Sequence, residues 1–309
     1  MTGVFRGGSF GQTDQVDPGR RAHYGAFYDP GDGPAALVYG NCQAEALRVL
    51  LAPSLPDLDV VRLPPVHELT AADLPSLSRL LDRAVLLVAQ PVRAGYRDLP
   101  LGTAEVAGRT RAQLVVVPAV QICSLHPFQA LVRDPADQSL SPPLVDYHDL
   151  RTLAAAAGHP RRPVDPRALI DVGRTGVQEL ARREQGTDVG VSDVVDELGS
   201  QAAWTINHPG NAVLRVLASR VLHHLGRPAD VADPGRVLLG AVRAPLEAQV
   251  LDALGLPDPP REHWLVDGEA LDDAEVRRAH TAWYAARPAL VTEGLRRHAE
   301  AMQRLGLGP

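Results

Sequence analysis

The stretch VYGNCQAEALRVLL, residues 38–51, places a cysteine at the junction of a predicted strand and a predicted helix. The preceding run AALVYG is short and apolar, and QAEALRVLL has helical spacing. Gly40 suits a tight strand-to-helix turn because it has no Cβ atom. The unpaired N–H groups at a helix N-terminus favour a thiolate, so Cys42 is either an activated nucleophile or a buried small side chain.

The residues around this turn repeat the alternation of strand and helix. Apolar runs predict parallel strands at residues 36–40, 58–62, 84–89 and 113–118. TAADLPSLSRLLDR predicts a helix with Thr70 as its N-cap. Buried strands separated by helices, joined by right-handed crossovers, predict an α/β fold with a doubly wound parallel sheet of the Rossmann or SGNH type and a helical C-terminal half.

The chain divides into four predicted regions. Residues 1–34 are Gly-rich and polar and predict a flexible N-terminal leader, whereas residues 35–130 form the α/β core with the cysteine turn. Residues 131–229 contain Pro-rich loops and the amphipathic helix NAVLRVLASRVLHHLG, and residues 230–309 are predicted to be helical.

Composition excludes several classes of protein. The net charge of −6 argues against nucleic-acid binding, and no apolar run reaches the roughly 20 residues that span a bilayer. The N-terminus has no apolar export signal, so we expect a cytoplasmic protein. The 309 residues include no lysine, which excludes Schiff-base chemistry and a Walker lysine. Two cysteines cannot form a disulfide framework or a cysteine-rich zinc site, and we expect no metal.

A cysteine nucleophile requires a base, and two histidines are candidates. His208 in TINHPGNAV directly precedes the amphipathic helix, and Asn207 or Asn211 is close enough in sequence to orient its ring. His126 in SLHPF follows the fourth strand. Each His-Pro pair also fits a purely structural turn. We favour His208 as the base and keep His126 in reserve.

Other polar residues follow the third strand. Gln90 ends that strand, where its amide is suited to donate to an oxyanion, as are the N–H groups of the cysteine turn. Arg93 and Arg97 come next and are suited to pair with phosphate, unless they are simply solvated. Cys123 follows the fourth strand, about 10 Å from Cys42 if the strand order is 2-1-3-4, so we expect a buried wall residue and no disulfide.

Five stretches in this order resemble the WcbI-type polysaccharide biosynthesis family: GNCQAEALRVLL, AQPVRAGYRDL, VVVPAVQICSLHPF, VDYHDL and TINHPGNAVLRVLASRVL. The resemblance covers residues 37–225 and implies an α/β core, a coenzyme A site and acyl transfer to a sugar. Within these motifs the candidate coenzyme-binding residues are Gly40, Asn41, Gln43, Arg93, Tyr96, Arg97, Phe128 and Asn207.

The layout also resembles SGNH-type esterases, in which a nucleophile follows the first strand and a base histidine comes late. Cys42 matches the nucleophile, His208 matches the base, and Gln90 replaces the oxyanion-hole asparagine. Those enzymes carry an aspartate three residues before the histidine, where this chain has Thr205. A backbone carbonyl or an asparagine is therefore expected to hold the ring.

The resemblance and the residues together predict an acyltransferase that moves an acetyl-type group from coenzyme A to a hydroxyl of a sugar or specialised metabolite. The alternatives are a thioesterase acting on acyl-coenzyme A or an acyl carrier protein, and a protein that binds acyl-coenzyme A without turnover. A transferase must keep water from the thioester, so we expect the Pro-rich residues 131–165 to close over the site.

Overall fold

The computed structural model describes residues 17–160 and 162–308. Its central sheet is parallel, and its strand order is β2-β1-β3-β4. In register, Leu37 lies between Val61 on one neighbouring strand and Leu87 on the other. The predicted doubly wound sheet and its four strands are confirmed. The strands are β1 (Ala35–Tyr39), β2 (Asp59–Val61), β3 (Ala84–Ala89) and β4 (Gln113–Val116).

Helices surround this sheet and form much of the C-terminal half. They are α1 (Pro18–His23), α2 (Gly25–Tyr28), α3 (Cys42–Leu51), α4 (Leu74–Arg83), α5 (Thr103–Ala107), α6 (Leu150–Ala156), α7 (Pro166–Glu184), α8 (Val195–Leu198), α9 (Asn211–His224), α10 (Ala248–Leu254), α11 (Asp273–Ala285), α12 (Pro288–Arg297) and α13 (Ala299–Arg304). Within the described residues, no helix combines the length and apolar character needed to cross a membrane.

Each face of the sheet has its own core, because alternate residues of a strand point to opposite faces. Ala36 and Val38 of β1 lie in the core that includes α3 and α9, whereas Leu37 and Tyr39 lie in the core that includes α4. Every residue of β1 is buried. Full burial of an aliphatic side chain contributes about 1.5–3 kcal/mol, which explains why this strand is continuously apolar.

Residues 17–34 correct the predicted leader. They contain the short helices α1 and α2, and Tyr24, Phe27 and Tyr28 are buried in the core beside α4. The Tyr28 hydroxyl donates to Asp73 Oδ1 at 2.6 Å. The leader prediction is therefore wrong for this part, because buried aromatics anchor an otherwise polar segment. Residues 1–16 lie outside the described residues.

The start of α4 shows why its predicted N-cap was nearly right. Thr70 forms a capping box with Asp73 around a single 3-10 turn, and the α-helix begins at Leu74 directly after it. The Thr70 N–H donates to Asp73 Oδ2 at 2.9 Å. Thr70 thus caps the turn that leads into the helix.

Helix α9 confirms the amphipathic prediction, with Val213, Leu217 and Val221 fully buried and Leu225 partly buried just beyond its end. It packs against α3. Two short pairs of antiparallel strands lie before α9 in the chain. They are β5 (Gln129–Ala130) with β6 (His148–Asp149), and β7 (Ala203–Thr205) with β8 (His208–Pro209).

The last predicted region is not entirely helical. It contains an antiparallel sheet of β9 (Val242–Arg243), β10 (His263–Val266) and β11 (Glu269–Asp272). Asp267 and Gly268 form the β10–β11 turn with φ of 51° and 87°. Asp-Gly is a strong hairpin signal, so the sequence contained the evidence for this turn.

Candidate active site

The cysteine turn lies at the carboxyl edge of the central sheet. Strand β1 ends at Tyr39, and α3 begins at Cys42 with Asn41 as its N-cap. The Asn41 side-chain oxygen accepts from the Gln43 N–H at 2.9 Å. A Cβ atom on Gly40 would collide with the Gln90 carboxamide, so only glycine fits this approach. Cys42 at a helix N-terminus is confirmed.

His208 is the histidine that meets this cysteine. Its Nε2 atom lies 3.6 Å from Cys42 Sγ, although 166 residues separate the two in sequence. Strand β8 carries His208, and α9 begins three residues later, so packing of α9 on α3 brings the ring to the thiol. The structure thus pairs the predicted nucleophile with the favoured histidine.

Tyr147 orients the far side of the His208 ring. Its hydroxyl lies 3.3 Å from His208 Nδ1 and donates to Asn207 Oδ1 at 2.8 Å. Thr205, three residues before His208, donates to the Tyr147 hydroxyl at 2.9 Å. Sequence reasoning missed Tyr147, although it lies in the VDYHDL motif. The uncharged side chains of Tyr147, Asn207 and Thr205 therefore orient the His208 ring in place of a carboxylate.

Electrostatics at the pair differ from the predicted thiolate. Burial raises the pKa of the Cys42 thiol, against the opposing effect of the Cys42 and Gln43 N–H groups, and the Glu68 carboxylate raises it further. Burial also lowers the pKa of His208. Both shifts favour the uncharged form, so the pair at neutral pH is a thiol and a neutral imidazole. The expected activation by the helix N-terminus is outweighed by burial.

The position of Gln90 corrects its predicted role. Its Oε1 accepts from the Asn41 N–H at 2.9 Å, and its Nε2 lies 3.1 Å from Gln43 Oε1 and 3.3 Å from Pro118 O. The side chain is buried and both amide hydrogens have protein acceptors. Gln90 therefore braces the cysteine turn and has no hydrogen left for an oxyanion.

Gln43 joins the cysteine turn to the histidine turn. It is buried, and its Nε2 donates to Asn207 O at 2.8 Å and to Val120 O at 2.7 Å. Its Oε1 accepts from the Val120 N–H at 3.0 Å. These bonds occupy its carboxamide, so Gln43 is a structural link and not a coenzyme contact as predicted.

The predicted phosphate-binding residues lie in an exposed loop after β3. Arg97 donates to the carbonyl oxygen of His67, and the Arg93 guanidinium lies 6.0 Å from the Tyr96 ring. The turn containing His67 packs on the cysteine turn, because the Val66 N–H donates to Gly40 O at 2.8 Å. Among residues 17–160 and 162–308, neither arginine has a carboxylate partner within salt-bridge distance.

His126 and Phe128 lie elsewhere, which corrects two predictions. Both are buried and line a cavity of about 40 Å³ that Tyr147 also lines, and neither Cys42 nor His208 is among the described residues around it. Burial lowers the pKa of His126 to about 4. The Arg151 guanidinium covers the Phe128 ring at 3.9 Å. His126 is therefore not the reserve base, and Phe128 is a core residue.

The fold and the site together define a doubly wound α/β protein with a thiol–imidazole pair at the carboxyl edge of its sheet. The family model described as polysaccharide biosynthesis enzyme WcbI matches residues 35–230. The chain belongs to this family of polysaccharide biosynthesis enzymes.

A solved structure has the same fold. It is described as WcbI, a novel polysaccharide biosynthesis enzyme, in its native form without a disulfide bond between coenzyme A and a cysteine of that protein. It superposes with a TM-score of 0.74 at 20% identity, covering 89% of this chain and 99% of the other. Among curated proteins, none matches.

Proposed function

We propose that this protein is an acyltransferase that moves an acetyl-type group from a coenzyme A thioester to a hydroxyl of a sugar or specialised metabolite. The observation that carries the proposal is the 3.6 Å contact between Cys42 Sγ and His208 Nε2 at the carboxyl edge of the sheet. Ligands of doubly wound folds bind at this edge. The family description and the coenzyme named for the solved relative support the choice of chemistry.

Cationic side chains beside the cysteine turn fit a coenzyme with phosphate groups. Arg97 and Arg133 come from different loops and both approach His67. Burial lowers the pKa of His67, the Glu68 carboxylate opposes this, and the charges of Arg133 and Arg97 lower the pKa further. Arg93 lies on the same loop as Arg97 and is exposed. Guanidinium groups bind phosphate oxygens with strong, charge-assisted hydrogen bonds. In the proposed complex, these arginines hold the phosphates and Tyr96 lies beside them.

The proposed reaction has two transfers. First, Cys42 Sγ attacks the thioester carbonyl, its proton passes to His208 Nε2, and the departing coenzyme thiolate receives that proton as the C–S bond breaks. Second, an acceptor hydroxyl gives its proton to His208 Nε2 and attacks the acyl group on Cys42. The Cys42 C–S bond then breaks, and the sulfur recovers the proton. The histidine is base and acid in turn.

The oxyanion of each transfer needs donors other than Gln90. The Cys42 N–H has no acceptor among the described residues, and it lies at the first turn of α3. The side-chain oxygen of Asn207 accepts from Tyr147, and this orients its NH₂ group, for which the described residues provide no acceptor. We assign these two groups as oxyanion donors, since positioned donors stabilise charge that develops during the reaction.

The test incubates the protein with acetyl-coenzyme A and a panel of hexoses. Rapid quenching and mass spectrometry should find one acetyl group on Cys42, and coenzyme A release should accelerate with an acceptor present. A thioesterase would release coenzyme A and acetate at the same rate without acceptor, including from an acyl carrier protein thioester. A binding protein would show heat on titration with acetyl-coenzyme A but no release. Either result overturns the proposal.

A further inference from the structure

We infer that Tyr147 is the positioning residue for His208 and that it holds the imidazole as the Nδ1–H tautomer. In SGNH-type enzymes an acidic residue has this task, and here the corresponding position is the buried Thr205. The catalytic consequence rests on the proposed function. The tautomer rests on the hydrogen bonds alone.

The hydrogen bonds of the Tyr147 hydroxyl determine which nitrogen of His208 carries the hydrogen. The hydroxyl has one hydrogen, and the shorter contact takes it: Asn207 Oδ1 is 2.8 Å away, whereas His208 Nδ1 is 3.3 Å away. The single Thr205 hydroxyl hydrogen likewise takes its shorter contact, the Tyr147 oxygen at 2.9 Å, and not Asn207 Oδ1 at 3.2 Å. His208 Nδ1 must therefore donate to Tyr147, which leaves Nε2 without a hydrogen. That lone pair lies 3.6 Å from Cys42 Sγ, where it accepts the thiol proton.

Tyr147 is held firmly enough to act in this way. Its ring is 5% exposed, stacks on Trp264 with 6.0 Å between centroids, and meets the His208 ring edge-on at 6.2 Å. A bond from a neighbouring helix also holds its segment, since His280 Nε2 lies 2.9 Å from Pro143 O.

Because the side chains that orient His208 are uncharged, they affect the proton shared by Cys42 and His208. A carboxylate would stabilise the imidazolium as well as orient the ring, whereas a phenol only orients it. The charged groups nearby are Glu68 on the Cys42 side and Asp146 on the Tyr147 side, and burial alone lowers the pKa of His208. The proton therefore stays on Cys42 until an acyl donor arrives.

The test measures the His208 tautomer by ¹⁵N-imidazole NMR and the reactivity of Cys42 with iodoacetamide across pH. In Tyr147→Phe, we expect loss of the Nδ1–H tautomer preference and slowing of Cys42 alkylation by about tenfold, since proton transfer to a positioned base contributes at least this much. Tyr284→Phe is the matched control. It also removes a buried hydroxyl that bonds a histidine, and it should leave both readouts unchanged.

A second variant keeps the inference testable if Tyr147→Phe folds poorly. Asn207→Leu removes the acceptor of the Tyr147 hydrogen, so that hydrogen should turn to His208 Nδ1 and invert the tautomer to Nε2–H. Unchanged tautomer and pH profile in both variants would overturn the inference, as would an equal change in Tyr284→Phe. Neither the tautomer measurement nor the alkylation measurement needs an acyl donor. Failure of this inference can therefore be distinguished from failure of the proposed acyl transfer.

Discussion

Each of the two cysteines follows a strand of the central sheet along the chain, but their surroundings differ. Cys42 begins α3 just after β1 (Ala35–Tyr39), and Cys123 lies in the loop that follows β4 (Gln113–Val116). Cys42 meets the imidazole of His208 at 3.6 Å, whereas the Cys123 thiol donates to the carbonyl oxygen of Val172 at 3.5 Å. Burial raises the pKa of both thiols, that of Cys123 to about 11.

The segment packed against each sulfur explains the difference. Helix α7 covers Cys123, and a Cβ atom on Gly176 of that helix would collide with its sulfur. Strand β8 covers Cys42 and presents a histidine instead. Position at a strand end therefore does not make a cysteine reactive, and the opposing segment from the second half of the chain decides its chemistry.

Substitution of the two cysteines should show the largest contrast. Cys42→Ala should lower turnover with acetyl-coenzyme A by at least about a thousandfold, because the nucleophile is lost. Cys42→Ser should be nearly inactive as well, since a hydroxyl is a far weaker nucleophile than a thiol. The measurement is coenzyme A release, with circular dichroism as a check on folding. Cys123→Ala should keep most of the rate.

If Cys42→Ala instead retained most of its activity, the thiol would be a packing residue like Cys123. Transfer would then be direct, with His208 acting on the acceptor hydroxyl.

His208 and His126 can be compared in the same way, the first as the proposed base and the second as a structural residue. His208→Gln should lower turnover about a hundredfold or more, because the proton acceptor of Cys42 is lost. His126→Gln removes the other predicted base and should leave the rate within a factor of about three, since its site does not include Cys42. Equal losses of turnover in the two variants would show that both histidines affect the rate only by maintaining the folded structure.

Acid should destabilise the structural histidines. Burial lowers the pKa of His126 to about 4, below the ordinary value of about 6.5 for an unfolded chain. As pH falls from about 6.5 to about 4, the unfolded state binds the proton first, so this one histidine lowers the free energy of unfolding by up to about 1.4 kcal/mol per pH unit. Urea unfolding of His126→Gln should show a shallower dependence, and the exposed His263→Gln should match the wild type.

The smallest expected effect is on stability at the second cysteine. Cys123→Ala should lower the free energy of unfolding by about 1 kcal/mol, because a small, partly buried group and a weak hydrogen bond are lost. Chemical denaturation measures this directly. A loss of activity without a loss of stability would give Cys123 a role that its surroundings do not suggest.

Some features were predictable because they depend on local patterns. The run AVLLVA predicted β3, which spans Ala84–Ala89. The pairing of Cys42 with His208 is not local, and it was predicted from the resemblance to SGNH-type esterases and from the helix that follows His208. Tyr147 was not predicted, because 61 residues separate it from His208 and no local pattern gives the distance between them. The predicted role of Gln90 was wrong for a similar reason, since its amide hydrogens are taken by Gln43 Oε1 and Pro118 O, which are 47 and 28 residues away in sequence.

The separation of 166 positions between Cys42 and His208 also affects the order in which parts of the site form during folding. Loop closure over such a distance is entropically costly, and contacts distant in sequence form slowly. On a ribosome, the α/β layer emerges first and the cysteine turn is synthesised long before its histidine. The thiol of the nascent chain therefore lacks its base until α9 docks on α3, and reactivity at this site is acquired only as the fold is completed.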